Sequence, residues 1–117
     1  MPQTTTCGPP AKATQFSYSG NIQSGIVIHF KTTSARIDAA FLQCLIEEFR
    51  GRNVPGGFSM DNPTRGGLGI WVRDHSSVLN SAPLTPRHAS FIAAILRDAG
   101  FLTSTTEGNA VILKFAP

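Results

Sequence analysis

The stretch Gly67–His75 contains the only tryptophan of the chain and alternates between two kinds of side chain. Apolar residues recur at every second position, as they do in a strand that buries one face. They are Leu68, Ile70 and Val72. The opposite face of the same strand is aromatic and basic, and it holds Trp71, Arg73 and His75. The stretch therefore predicts a central strand with one core face and one face available for contacts.

The composition is that of one small globular domain. The chain has 117 residues, of which 41% are hydrophobic and 15% are charged, and this balance argues against disorder over most of its length. The net charge of +3 is a mild bias and excludes the charge density of a dedicated DNA-binding protein. No apolar run approaches the ~18 residues that a membrane-spanning helix needs, so we expect no transmembrane segment.

The first 24 residues differ in composition from the rest. They are rich in Thr, Ser, Gly, Pro and Gln, which predicts a polar N-terminal extension or linker before a single α+β domain at residues 25–117. Phe16 and Tyr18 alternate within it and indicate a short edge strand. The segment lacks the charged and apolar regions of a signal peptide, and we expect a cytoplasmic protein or a cytosolic part of a larger assembly.

The two cysteines lie in different surroundings. Cys7 is in the polar extension, whereas Cys44 lies among apolar residues of a helical pattern. A disulfide would have to tie a tail to a helix, so we expect free thiols, with Cys44 buried in the core.

The remaining patterns predict strands and two amphipathic helices. A first strand is expected at Gly25–Lys31, a helix from a Ser34 cap to Arg50, and a second helix after Thr85 and Pro86 that ends at Gly100. Weak strand signals follow at residues 54–60, and further strands are expected at 101–106 and 111–115. This order is that of a ferredoxin-like split βαββαβ sandwich, with two helices on one face of an antiparallel sheet and an extra C-terminal hairpin strand.

In that arrangement several predicted side chains share the open sheet face. They are Trp71, Arg73, His75, His29, Lys31 and Lys114. A tryptophan among cations is suited to stack on a ring and to attract an anion. Two other interpretations remain open at this point. The face is covered by the N-terminal extension or by a second copy, or the faces are inverted and Trp71 is in the core.

The start of the second helix is a separate candidate anion site. It comprises Thr85, Arg87 and His88, where free backbone N–H groups and the helix dipole favour a phosphate or carboxylate. The alternative is a capped helix with a solvent-facing Arg87 and a His88 that packs in the core.

Catalytic and metal signatures are weak. Asp74, His75 and Ser76 have triad residue types, but neighbours on a strand point to alternate sides. His29 and His75 lack a third ligand, so no metal and no cofactor are expected.

We therefore expect a non-enzymatic binding or interaction domain of regulatory or sensory type. Its partner would be anionic, either a nucleotide-like small molecule or an acidic protein surface, bound on the open sheet face. A single-stranded nucleic-acid-binding domain that uses the same face is the alternative, and a small enzyme is a third. A homodimer is compatible with the sequence. The order of elements also occurs in the RNA recognition motif, but Leu68 and Ile70 occupy that motif's aromatic positions, and we assign the chain to no family.

Overall fold

The computed structural model describes residues 3–7, 14–108 and 110–117, and these form an α+β fold with antiparallel sheets. The strands are β1 (Gln3–Thr5), β2 (Gln15–Asn21), β3 (Gly25–His29), β4 (Ser34–Ile37), β5 (Asn53–Pro55), β6 (Leu102–Glu107) and β7 (Ala110–Phe115). The helices are α1 (Ala39–Phe49), α2 (Leu68–Leu79) and α3 (His88–Asp98). The α+β class and the antiparallel pairing are confirmed.

The first sheet is a meander in the order β1-β2-β3-β4. Tyr18 lies opposite Ile28, and Ile28 lies opposite Ala35, so these positions share the face that packs on the core. The turn between β2 and β3 is closed by Asn21, whose Oδ1 accepts the backbone N–H of Ser24 at 2.8 Å. The boundary expected after residue 24 falls within this hairpin. Residues 15–21 are therefore part of the sheet, whereas residues 1–2 and 8–13 lie outside the described part of the chain.

The second sheet has the order β5-β7-β6. The C-terminal hairpin expected from the sequence is confirmed, with Glu107 opposite Ala110 and Leu102 opposite Phe115. Asn109, in its turn, lies outside the described residues. Of the weak strand signal at residues 54–60, only Val54 and Pro55 are in β5.

Helix α3 is the central element of the core. It contacts β1, β6 and α2, and most of its residues are buried. Its C-terminus is the Schellman ending that the sequence predicts: the N–H of Phe101 donates to the carbonyl of Leu96 at 2.9 Å, and the N–H of Gly100 donates to Arg97 at 3.1 Å. Gly100 has a φ of +87°, which few other residues adopt.

Helix α1 begins later than the sequence predicts. The Ser34 cap is wrong, because residues 34–37 extend as β4 and pair with β3. Asp38 is at the N-cap position instead, and its backbone N–H donates to Oδ1 of Asn80 at 2.7 Å. The start of α1 is thereby tied to the segment that follows α2.

The predicted strand around Trp71 is wrong, because these residues form helix α2. Its buried positions include Leu68, Val72 and Ser76, which are spaced by four residues and lie on one helical face. Ser76 is fully buried, and its Oγ accepts the N–H of Leu84 at 2.8 Å. Because α2 replaces the central strand, the ferredoxin-like arrangement is not confirmed, and the described strands divide between two sheets.

The environments of the two cysteines are also the reverse of those expected. Both thiols are free, but Cys44 is exposed and Cys7 is buried. The buried positions of α1 follow the spacing of residues 41, 42, 45, 46 and 49, which leaves Cys44 off the core face.

Candidate functional site

A cavity of about 480 Å³ lies where the ends of β2 and β3 meet the start of α3. Its walls come from residues 14–16, 29–31, 85, 87–88 and 91, together with Met60 from the loop before α2. This volume is within the range of small-molecule sites, ~300–1,000 Å³. We call it the cation–aromatic cavity, after Lys31 and Arg87 on the one hand and Phe16, Phe30 and Phe91 on the other.

Three phenylalanines form the apolar part of this cavity. Phe91 of α3 is at their centre, with the Phe16 ring 4.9 Å and the Phe30 ring 5.0 Å from its own, both edge to face. Edge-to-face contacts of this kind add to the stabilisation from burial. Phe16 and Phe91 are each only 7% exposed, so the aromatic wall is fixed by packing with the core.

Two cations at the cavity have no acidic partner. Five of the six arginines elsewhere form ion pairs with neighbouring carboxylates, Arg65 being the exception, and the five are Arg36, Arg50, Arg52, Arg73 and Arg97. Lys31 and Arg87 form no ion pair with any residue that the structure describes. No described carboxylate lines the cavity either. The charges of Lys31 and Arg87 are therefore available to an anion.

His88 is held in its neutral form. Its Nδ1 accepts the backbone N–H of Thr85 at 3.0 Å, which requires an unprotonated nitrogen and places the ring proton on Nε2. Burial also lowers the pKa of His88 below its ordinary value of 6.5. The imidazole ring lies 6.1 Å from the Phe30 ring. At neutral pH the cavity thus contains two cationic side chains and one neutral imidazole at its aromatic wall.

The predicted start of the second helix is wrong by two residues, because α3 begins at His88 with Arg87 at its N-cap position and residues 86–87 form a turn. The N–H groups of His88, Ala89 and Ser90 donate to the carbonyls of the three residues from Thr85 to Arg87, so they are not the free donors that the sequence predicts for an anion. The side chain of His88 also accepts the Thr85 N–H, and two hydrogen bonds thus join Thr85 and His88 across the turn that precedes α3.

His29 is also at this cavity, but its side chain is engaged elsewhere. Its Nε2 lies 3.1 Å from Oγ of Ser19 on the neighbouring strand. Five of the sequence-predicted site residues are thereby brought to one place. They are His29, Lys31, Thr85, Arg87 and His88.

The other predicted site residues lie elsewhere. Trp71 packs against Phe41 and Phe49 at ring distances of 5.4 and 5.8 Å, and His75 stacks on it at 4.3 Å. Arg73 is on the same helix and pairs with Asp74. The predicted open face shared by Trp71, Arg73, His75 and β3 is wrong, because α2 is not a strand of that sheet.

Lys114 is also separate from the predicted face. It is exposed on β7 of the second sheet, opposite Thr103 and Asn53. It therefore shares with Lys31 only its charge and the lack of an ion-pair partner among the described residues, which makes it a matched control for Lys31.

The sequence did not single out the aromatic side of the cavity. Phe16 was predicted only as part of an edge strand, and Phe30 and Phe91 lie within the predicted first strand and the predicted second helix without a role in either candidate site. Phe30 is adjacent to Lys31 in the sequence and Phe91 is four positions after Arg87, whereas Phe16 is near no predicted site residue. These separations indicate a common site only once the topology places the three segments together.

Comparisons with protein-family models, with curated proteins and with solved structures find no match to this chain. The case for a function therefore rests on the geometry of the cavity. Among the described residues, no cluster of three or more His, Cys, Asp or Glu side chains could hold a metal ion. None of the helices in the described ranges has the length and apolar character to cross a membrane.

Proposed function

We propose that this protein is a non-enzymatic binding domain that holds a small anionic ligand with an aromatic or apolar body in the cation–aromatic cavity. The observation that carries the proposal is that two cations without an ion-pair partner among the described residues, Lys31 and Arg87, lie beside a wall formed by the half-buried Phe30 and the buried Phe16 and Phe91. A regulatory or sensory module is the class of protein that such a site suits.

The two halves of the cavity suit the two ends of such a ligand. The wall built around Phe91 offers apolar surface at ~25 cal/mol per Å² of contact. Lys31 and Arg87 offer charge-assisted hydrogen bonds, which contribute ~1.5–3 kcal/mol each. A ligand with only one of the two features would use only half of the site. A nucleotide-like compound or an aryl phosphate or carboxylate has both.

The shape of the site favours a small molecule over an acidic protein surface. A stable protein–protein interface covers ~800 Å² on each partner. The cavity is instead a concave, half-open cleft of about 480 Å³ between the start of α3 and the ends of β2 and β3. Met60, which is 52% exposed, lies at its edge and can adapt to the body of a ligand.

Thermal unfolding with paired probes tests the proposal. Phenyl phosphate is compared with phenol, and adenosine monophosphate with adenosine, so that each pair differs only in the anionic group. A ligand at 100 times its dissociation constant stabilises the folded state by ~2.7 kcal/mol. We expect at least one anionic member to raise the melting temperature and its neutral partner to have little effect.

Substitutions then locate the binding. Lys31→Gln and Arg87→Gln should each weaken the binding of the anionic probe by about tenfold or more. Each removes a charge-assisted hydrogen bond, and a loss of 1.4 kcal/mol is a factor of ten in affinity. Lys114→Gln, which removes an equivalent exposed lysine from the other sheet, should leave affinity unchanged. Equal stabilisation by neutral and anionic probes, or equal losses in all three variants, would contradict the proposal.

A further inference from the structure

A second cavity shares Arg87 with the cation–aromatic cavity. It has a volume of about 550 Å³ and is lined by residues 55, 57–59, 64, 87 and 110–111, from the end of β5, the loop before α2 and the start of β7. Among the described residues, Arg87 is the one that lines both cavities. Consecutive loop residues divide between them, since Phe58 and Ser59 line the second cavity and Met60 lines the first. The two cavities are therefore neighbours that meet at Arg87 and at this loop.

The loop that forms one wall of the second cavity is held at both ends by backbone hydrogen bonds. The N–H of Gly56 donates to the carbonyl of Val111 at 2.8 Å, and the carbonyl of Gly56 accepts the N–H of Gly69 at 2.9 Å. At the other end, the N–H of Gly67 donates to the carbonyl of Thr64 at 3.0 Å. The wall thus joins β7 to α2 and is formed without a ligand, as the walls of most small-molecule sites are.

The second cavity differs from the first in its side chains. Phe58 supplies one half-buried ring, which packs on the backbone of Gly56, because a Cβ at Gly56 would lie 2.7 Å from Cζ of Phe58. Ser59 and Thr64 add hydroxyl groups at the wall. In the part of the chain that the structure describes, Arg87 is the only charged residue at this cavity. The second cavity therefore suits an uncharged body that has a ring or hydroxyl groups, and it offers no cation of its own to a second anion.

The guanidinium of Arg87 is available at the junction of the two cavities. The backbone of Arg87 is fixed, because its carbonyl accepts the N–H of Ser90 at 3.2 Å and Oγ of Ser90 at 2.8 Å. The side chain is exposed and makes no hydrogen bond or ion pair with any described residue. A guanidinium has five N–H donors in one plane and binds a phosphate through two of them. A phosphate bound there would have a cavity on each of two sides.

We propose that the ligand is a small phosphodiester that spans both cavities. Its phosphate lies at Arg87, its aromatic body contacts the wall around Phe91, and a second body occupies the second cavity beside Phe58. This inference rests on the proposed function, because it keeps the first body and the anion where that function places them. It adds what is attached to the other side of the phosphate. A phosphodiester fits because it has one negative charge and carries an organic group on each of two oxygens.

Two probes of equal charge test the proposal on the native chain. Diphenyl phosphate and methyl phenyl phosphate are both monoanions, and they differ only by a second ring in place of a methyl group. We expect titration calorimetry to show that diphenyl phosphate binds about tenfold more tightly, since its second ring is removed from water in the second cavity. Equal affinities for the two probes would overturn the proposal.

Phe58→Leu and Phe101→Leu form a matched pair of variants. Each replaces a half-buried phenylalanine by leucine, but Phe101 lines neither cavity. Phe58→Leu should lower the ratio of the two probe affinities by at least about threefold, because the second ring loses its aromatic contact. Phe101→Leu should keep the native ratio. Thermal unfolding confirms that both variants fold, and equal ratios in two folded variants would contradict the proposal.

An NMR titration locates the second ring without any substitution, so it decides the question even if Phe58→Leu does not fold. Both probes should shift the amide signals of residues 29–31 and 87–91, and diphenyl phosphate should shift those of residues 57–59, 64 and 110–111 more strongly than methyl phenyl phosphate does. Shifts at the first cavity with both probes, with equal or no shifts at the second, would overturn the two-cavity ligand and leave the proposed function standing. The lack of a saturable shift at the first cavity with either probe would overturn both.

Discussion

The backbone N–H of Thr85 donates a hydrogen bond to Nδ1 of His88, at 3.0 Å, at the point where α3 begins and the cation–aromatic cavity opens. One side chain thus fixes the turn that precedes the most buried helix of the core and also lines the candidate site. A protonated imidazole would present a second donor to the Thr85 N–H and lose this contact. The stability of the helix start and the state of the cavity are therefore linked through the protonation of one ring.

Stability should fall as the pH is lowered from neutral. Burial lowers the pKa of His88 below 6.5, so the unfolded chain takes up the proton before the folded one does. The contribution of His88 to the free energy of unfolding is fully present above pH 6.5. It is lost as the pH falls from 6.5 through the pKa that His88 has in the folded protein. Urea unfolding at a series of pH values measures this loss.

His88→Asn is the matched control for the pH dependence. Its side-chain oxygen can accept the Thr85 N–H but does not titrate. We expect the slope of stability against pH just below 6.5 to be smaller in this variant than in the native chain. An equal slope in the two proteins would assign the effect to other groups.

Gly69→Ala should destabilise the protein, although alanine is the better helix former by ~1 kcal/mol. A Cβ at this position would lie 1.9 Å from the carbonyl oxygen of Gly57 and 3.0 Å from Cβ of Pro86. The backbone has to move to relieve this overlap, which costs about 1–3 kcal/mol or more. Val78→Ala, at an 83% exposed position of the same helix, should change stability by less than ~0.5 kcal/mol. A stabilising Gly69→Ala would contradict the close approach of α2 to the loop before it.

Trp71→Ala should lower the stability of the fold without lowering the affinity for the anionic probe. Trp71 packs on Phe41 and Phe49, so its removal leaves a gap at the junction of α1 and α2 that costs about 2–4 kcal/mol. Unfolding followed by circular dichroism measures this cost. Trp71→Phe, which keeps an aromatic ring there, should bind phenyl phosphate as the native chain does. A tenfold loss of affinity in that variant would restore Trp71 as a binding residue.

Arg97→Met should release the N-terminal strand. The Arg97 guanidinium donates to the carbonyl of Thr5 at 2.8 Å and to Oγ1 of Thr4 at 2.9 Å, and it lies 3.5 Å from Sγ of Cys7. In a Cys44→Ser background, Cys7 is the only thiol that can react with a disulfide reagent. Loss of these contacts should raise its labelling rate by about tenfold or more. Arg50→Met, which removes only a surface pair with Glu47, should leave that rate unchanged.

The helix around Trp71 shows why part of the fold was mispredicted. Over Leu68–Val72 the alternation of period two and the helical spacing of four fit the same residues, and Ile, Val and Trp favour a strand. The deciding positions are further along, at Ser76 and Leu79, which complete the helical face. A serine at a buried position carries no hydrophobic signal, so the predicted element ended at His75 and the helical face beyond it was missed.

Predictions from local sequence were more reliable where a residue acts through its backbone conformation. Gly100 ended α3 as predicted, and the strand expected at Gly25–Lys31 is present over Gly25–His29. The candidate site was predicted in two separate pieces, because Lys31 and Arg87 are 56 positions apart in the chain and no local pattern links them. Only the packing of α3 between the two sheets brings them together.

An NMR titration of the native chain with phenyl phosphate tests the central claim most directly, with phenol as the neutral control. If the cation–aromatic cavity takes an anionic ligand, the backbone amide signals of residues 29–31, 85 and 87–91 shift in a saturable manner. Arg87→Gln should raise the concentration that saturates these shifts by about tenfold or more, and Lys114→Gln should leave it unchanged. Shifts centred on Trp71 and His75, equal shifts with phenol, or no saturable shift with the anion would contradict the claim.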